Sequence, residues 1–227
     1  VTLSPIAVDA LRALAWSAVL AAGLAACVGL ARCGLARTHV RDLLHVGAGI
    51  WVLDFGGWRA MWIPAALTTI VAATTAALPL AARHTRVLRA FRDSVSDDDE
   101  RWTGLSLYTL SFAIFTALAL RGDRVAPAVA LASLALGDGV GGAVGRRFGR
   151  HFFRVPLGKQ KSLEGSITVA VFAAIAAAVA STCLGAPVSA ATAMMVGAVA
   201  AIVEAIAPRT SDNVLIPVAV YAAITWG

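Results

Sequence analysis

The residues best suited to chemistry lie between positions 137 and 166, GDGVGGAVGRRFGRHFFRVPLGKQKSLEGS. This stretch supplies a carboxylate, Asp138, then spaced glycines, then arginines and lysines, and finally Lys161-Ser162-Leu163-Glu164-Gly165-Ser166 ahead of an apolar segment. Phosphoryl transfer asks little covalent chemistry of a protein. It needs a divalent ion, cations around the phosphates and an oriented nucleophile. Asp138 is suited to hold the metal, and Arg146, Arg147, Lys159 and Lys161 are suited to hold the phosphates. Ser162 and Ser166 open a helix, where free backbone N–H groups favour anions, and can donate to phosphate. Gly141, Gly145 and Gly149 recur every four residues. That spacing suits either close helix packing in a membrane or close approach of a ligand.

Other ionisable residues converge on the same region. His45, Glu204, Asp212 and Asn213 all fall at segment ends on the side of the longest basic loop. Charge in or at the edge of a membrane is costly, so each marks a candidate site. Blander readings stand beside this one: His45 can simply bond a neighbouring helix, and a basic loop can serve topology alone. The acidic run Asp97, Asp98, Asp99 and Glu100 suits either a metal or a solvated loop. Two soluble nucleotide motifs are excluded. Lys159 is followed by Gln160 and position 153 is Phe, so no Walker A loop forms. Gly139 and Gly141 lack a third glycine at 144, which breaks a dinucleotide fingerprint.

The elements that must position these residues are helices in a bilayer. Of 227 residues, 59% are hydrophobic and only 14% charged, and mean hydropathy is +0.79. Soluble domains carry about 25% charged residues. The predicted fold is all-α, a polytopic integral membrane protein with about seven to eight transmembrane helices in a single domain over 1–227. Spans are expected near 10–31, 43–57, 60–82, 103–120, 125–145, 165–184, 187–206 and 213–227. The second is the weakest, since it begins beside Asp42 and His45 and contains Asp54. Residues 10–31 are read as a span and not a cleaved signal, because the run is long and no cleavage site follows.

Loops 32–42, 83–102, 146–164 and 207–212 collect most of the basic residues, and only Arg12, Arg59, Arg121 and Arg124 fall on the other face. The positive-inside rule then puts these loops, and a site facing them, in the cytoplasm. The expected location is the cytoplasmic membrane if the source is bacterial. The net charge of +6 therefore serves topology, and no nucleic-acid partner is expected. Cys27, Cys33 and Cys183 form no CxxC or Cys/His cluster and are read as packing residues.

These residues together resemble the polyprenol kinase family, which includes phytol, farnesol and dolichol kinases and CTP-dependent diacylglycerol kinases. The resemblance rests on Gly137-Asp138, on Gly145-Arg146-Arg147-Phe148-Gly149 and on Lys161-Ser162-Leu163-Glu164-Gly165-Ser166. Asp212-Asn213 with Pro217 is similar to the family's Asp-Asn-x-x-x-Pro. Arg101, Gly104 and Tyr108, and Arg41 with His45, agree more weakly. It covers about 41 to 217. Asp42 departs from the family, which usually has Lys there, and Gly141 stands where Ala is frequent.

The resemblance implies a kinase that moves the γ-phosphate of CTP, or another nucleoside triphosphate, onto the hydroxyl of a bilayer lipid alcohol such as phytol, geranylgeraniol or farnesol. Mg2+ would be held by Asp138 with help from Glu164 or Asp212. Arg146, Arg147, Lys159, Lys161, Ser162, Gly165 and Ser166 would hold phosphate, and Asn213 would orient nucleotide or substrate. Asp138, Asp212 and His45 are the candidates for handling the hydroxyl proton. Phosphatidate cytidylyltransferases share a distantly similar Gly-Arg…Lys-Ser pattern, but their C-terminal Gly-Asp…Lys-Arg and His-Gly-Gly segments are missing here. A small transporter is the rival of a different class; it predicts polar residues at mid-membrane and internal repeats.

Overall fold

Without water to bond to, a backbone in hydrocarbon must satisfy itself, and long apolar runs therefore become helices. The computed structural model describes residues 4–95, 99–155 and 160–227. Among these, one pair of short strands interrupts an otherwise all-helical bundle. The helices are α1 (Pro5–Arg32), α2 (Arg37–Ala48), α3 (Ile50–Leu53), α4 (Trp62–Ala81), α5 (Arg86–Val95) and α6 (Asp99–Leu118). Then follow α7 (Val125–Ala132), α8 (Gly139–Phe148), α9 (Leu163–Cys183), α10 (Ala190–Ile206) and α11 (Asp212–Trp226). A π-helical turn, Ser133–Asp138, fuses α7 and α8 into one segment. Lys159 and the side chains of the acidic run 97–100 lie outside the described residues.

Five segments are long and apolar enough to cross a membrane: Pro5–Arg32, Trp62–Ala81, Trp102–Arg121, Val125–Phe148 and Leu163–Cys183. The sequence predicts more, and the shortfall has physical causes. Helices α10 and α11 contain 17 and 15 residues, a rise of only ~25 and ~22 Å against a ~30 Å hydrocarbon core. The 43–57 stretch is not one helix. It breaks after α2 at Gly49, makes the single turn α3 and ends in a 3-10 turn at Phe55–Gly57. Asp54 sits between α3 and the 3-10 turn, 3.3 Å from Arg12 Nε, and accepts the Trp16 indole N–H at 2.7 Å. A carboxylate that would be costly within a span is thus paired at a bend.

The Asp138-bearing span is the axis of the bundle. In that span 61% of the apolar window is enclosed by protein, against 6% for α1. Alanine makes this possible: Ala128, Ala130, Ala173 and Ala177 are fully buried and let α7 and α9 approach closely. Ile70, Ile175 and Ile202 instead face outward, an apolar belt suited to lipid. Serines start several helices. Ser4, Ser162 and Ser189 accept N–H groups from the first turns of α1, α9 and α10. At the end of the bundle away from Lys161, buried Asp9 accepts the N–H groups of Arg59 and Ala60, and Arg124 donates to the carbonyls of Phe55 and Trp58.

Candidate functional site

Asp138 closes the π-helical turn, where the ladder is widened and a side chain is re-aimed. Its Oδ2 lies 3.6 Å from Nε2 of His45 on α2. His45 is fixed from the other side by Tyr108, whose hydroxyl donates to the His45 carbonyl at 2.6 Å and whose ring lies 4.0 Å from the imidazole. Gly139 permits this approach. A Cβ there would stand 2.7 Å from Val46 Cγ2 and 3.4 Å from the His45 ring.

After α8 the chain turns back through an antiparallel hairpin, β1 (Phe152–Arg154) and β2 (Gln160–Ser162), with Phe153 opposite Lys161. The 146–164 loop predicted from sequence thus contains ordered structure among its described residues, and β2 carries Lys161 to the wall of the bundle. The Lys161 ammonium pairs with Glu204 of α10 and lies 3.7 Å from Asp212 Oδ2 at the start of α11. Burial alone pushes the ammonium towards losing its proton, but Glu204, Asp212 and Asp138 outweigh it and raise Lys161 above the ordinary lysine value. The cation is therefore permanent at neutral pH.

The glycines spaced by four are packing residues. A Cβ on Gly141 would stand 2.3 Å from Val169 Cγ2, and one on Gly165 would stand 3.1 Å from the Gly145 Cα. These contacts press α8 against α9. Ser162 is engaged as a helix cap, accepting the Gly165 N–H at 3.1 Å. Ser166 Oγ, by contrast, is buried with no hydrogen-bond partner among the described residues, as are His45 Nε2 and Asn213 Oδ1. The Asn213 amide nitrogen is used, donating to the Thr210 carbonyl and to Asp212 Oδ1.

His45, Ser166 and Asn213 line one cavity of about 1310 Å³, together with Asp138, Arg146, Lys161, Ser162, Gly165, Glu204 and Asp212. Buried polar atoms normally have partners. Trp51, whose indole Nε1 is also unpartnered, lines the same space further along, and the three orphans among its charged residues mark a place for a polar ligand. The same cavity continues between α1, α4 and α6 along apolar side chains such as Leu24, Val71 and Phe112.

Two predicted residues lie elsewhere. Arg147 points outward with its guanidinium 5.9 Å from the Phe148 ring centroid. Glu164 accepts the backbone N–H groups of Arg150 and His151 and pairs with His151 Nδ1 at 2.7 Å, which fastens the hairpin to α9. Arg146 does reach the cavity, paired with Asp42. Asp42 is thus an arginine partner.

No group of three or more His, Cys, Asp or Glu positioned to hold a metal occurs among the described residues. With Glu164 turned away and the Lys161 ammonium between Glu204 and Asp212, the described residues offer no protein-only cage. Asp212 on the cavity wall does fit a magnesium ion that arrives on phosphates, since such an ion asks for as few as one carboxylate from the protein. Comparison with protein-family models, curated proteins and solved structures gave no match for this chain.

Proposed function

We propose that the protein is a membrane kinase that transfers the γ-phosphate of a magnesium–nucleoside triphosphate, CTP first among them, to the hydroxyl of a lipid alcohol. One observation carries this reading: a single cavity combines carboxylates and cations at one end with an apolar chamber among the spans at the other. A polar head and a hydrocarbon tail on one substrate need that combination. The sequence resemblance to polyprenol kinases points the same way.

In this reading Lys161 and Arg146 bind and neutralise the triphosphate. Ser166 and the Asn213 carboxamide oxygen, unpartnered in the structure, supply hydrogen bonds to nucleotide or alcohol. A magnesium ion bound with the nucleotide would be held by Asp212 and would supply charge neutralisation at the phosphates. Asp212 is already engaged by Lys161 and by the Asn213 N–H groups. Asp138 is therefore the group assigned to accept the hydroxyl proton, with the His45 imidazole packed beside its carboxylate, Nε2 at 3.6 Å from Oδ2. The alcohol oxygen bonds to the γ-phosphorus as the bond to the β–γ bridging oxygen breaks. The nucleoside diphosphate leaves, and the proton rests on Asp138 until solvent takes it.

The test incubates purified protein with γ-labelled CTP, ATP or UTP and phytol, geranylgeraniol or farnesol. Label in a phospholipid-like monophosphate is the expected result, lost in Asp138→Asn by at least ~100-fold. A CDP-lipid formed from phosphatidate with release of pyrophosphate would instead assign a cytidylyltransferase. Solute flux without nucleotide turnover would assign a transporter.

A further inference from the structure

The apolar arm of the cavity has a floor. Along α1 its lining begins at Trp16 and ends at Arg32, a rise of ~24 Å at 1.5 Å per residue. Below Trp16 lies a shallow depression of about 410 Å³, open to the outside and lined by Val8, Leu11, Arg12, Ala15 and Asp54. Trp16 and Val19 face both. The Trp16 indole is the wall between them.

That wall is braced. Trp16 packs edge-on against Trp51, with ring centroids 5.2 Å apart, and Trp51 packs on Trp58 at 5.6 Å. The indole N–H is tied to Asp54 at 2.7 Å, and Asp54 is tied to Arg12. A bulky ring whose polar atom is bonded and whose face is packed cannot swing aside without breaking those contacts. Trp51 also lines the large cavity and lies on α3, past the break that separates it from the His45-bearing α2. The floor therefore stands opposite the polar end, where a tail extending from a reacting hydroxyl would meet it.

We infer that Trp16, braced by Trp51 and Asp54, sets the length of hydrocarbon tail the protein accepts. This rests on the lipid-alcohol reading above for the identity of the occupant. A tail that fits above the indole is bound in full, and a longer one must fold back or leave part of itself outside.

Two substitutions pull in opposite directions. Trp16→Ala removes the wall and joins the two spaces. Gly23, two turns nearer the polar end, lines the chamber, and a Cβ added there meets nothing within 4 Å. Gly23→Leu therefore folds without a backbone clash and occupies part of the chamber. The experiment measures kcat/KM for a series of alcohols that differ only in the number of isoprene units, using protein whose fold is checked by gel filtration and circular dichroism. Trp16→Ala should raise the ratio of long to short substrates by ~10-fold or more, and Gly23→Leu should lower it by as much. Unchanged ratios in both variants overturn the inference, and Gly23→Leu alone decides it if Trp16→Ala does not fold.

If no alcohol is phosphorylated, the kinase reading fails and the floor is judged separately. Lipids retained through purification are then identified by mass spectrometry, and their chain lengths should shift in the same directions. Identical lengths in all three proteins, or no retained lipid, would count against the floor itself.

Discussion

Ser111 of α6 donates its hydroxyl to the backbone carbonyl of Asn213 at 2.7 Å, with both groups buried. The bond exists because of Pro217, four residues on, which has no N–H to give that carbonyl inside α11. Asn213 is thereby held at the cavity from two directions, its carbonyl by Ser111 and its side chain by Thr210 and Asp212. Ser111→Ala should cost about 1–3 kcal/mol, because it leaves a buried acceptor unpaired. The double variant with Pro217→Ala should lose less than the two single losses combined, since residue 217 then regains its donor. Thermal unfolding in detergent measures both, and strict additivity would contradict the pairing.

Lys161 and Glu204 form a buried pair from distant parts of the chain. Lys161→Met leaves Glu204 as an uncompensated buried charge and should destabilise by about 3–5 kcal/mol. Lys161→Met with Glu204→Leu should recover most of that stability while nucleotide turnover stays lost, which separates the cation's binding role from its structural one. The pH dependence has a definite sign. A lysine raised in the folded state contributes stability below its unfolded value, lost as pH rises through the folded one. The Lys161 contribution should be constant from pH 6 to about 9 and fall only in the range above the unperturbed lysine value of about 10.4. A fall near neutrality would contradict a permanently charged Lys161.

The packing role of Gly141 predicts a stability effect. Its missing Cβ is replaced in space by Val169 Cγ2, with the Gly165 carbonyl 3.1 Å from the added-atom position. Gly141→Ala should therefore overpack the α8–α9 seam and cost about 1–3 kcal/mol. The neighbouring Gly142, whose nearest neighbour is the flexible end of Arg146 at 3.2 Å, should accept alanine with a loss well below that. Equal losses at the two positions would contradict a seam specific to Gly141.

Much of the site was legible from residue type, and the limits have particular causes. Asp138, Lys161, Asp212 and Asn213 could be marked because charge beside long apolar runs is costly and therefore conspicuous. Glu204 was visible for the same reason, but its partner was not, since pairing across 43 residues depends on how helices pack. Arg147 and Glu164 share a motif with cavity residues, yet adjacent helical positions diverge by about 100° and point to different places. The charged residues Asp42, His45 and Asp54 mark 43–57 as the weakest of the expected spans, but the break at Gly49 is invisible in its apolar content, and there a Cβ would stand 2.8 Å from Ala135 Cβ of a neighbouring segment. The glycine spacing left packing and ligand approach equally open, and only the contact with Val169 separates them. Trp16 carried no sequence signal at all. An aromatic residue in an apolar helix reads as filler until the cavity and the depression on either side of it are found.

Arg146 and Asp42 form the pair that bears most directly on nucleotide affinity. Arg146 is at the last turn of α8, where a cation also complements the helix dipole. Asp42 of α2 occupies its guanidinium in the structure. Phosphate and Asp42 compete for the guanidinium, because its Nη2 already donates to Asp42 Oδ2 and turning it to a phosphate gives up that charge-assisted bond. Asp42→Asn should therefore free Arg146 and lower KM for the nucleotide by several-fold with kcat little changed. Arg146→Gln should raise KM in both the native and Asp42→Asn backgrounds, and by more in the latter, where the arginine is wholly available. Initial rates against nucleotide concentration in the four proteins give this cycle directly. If Asp42→Asn raised KM, Asp42 would be organising Arg146 for the phosphates and not withholding it.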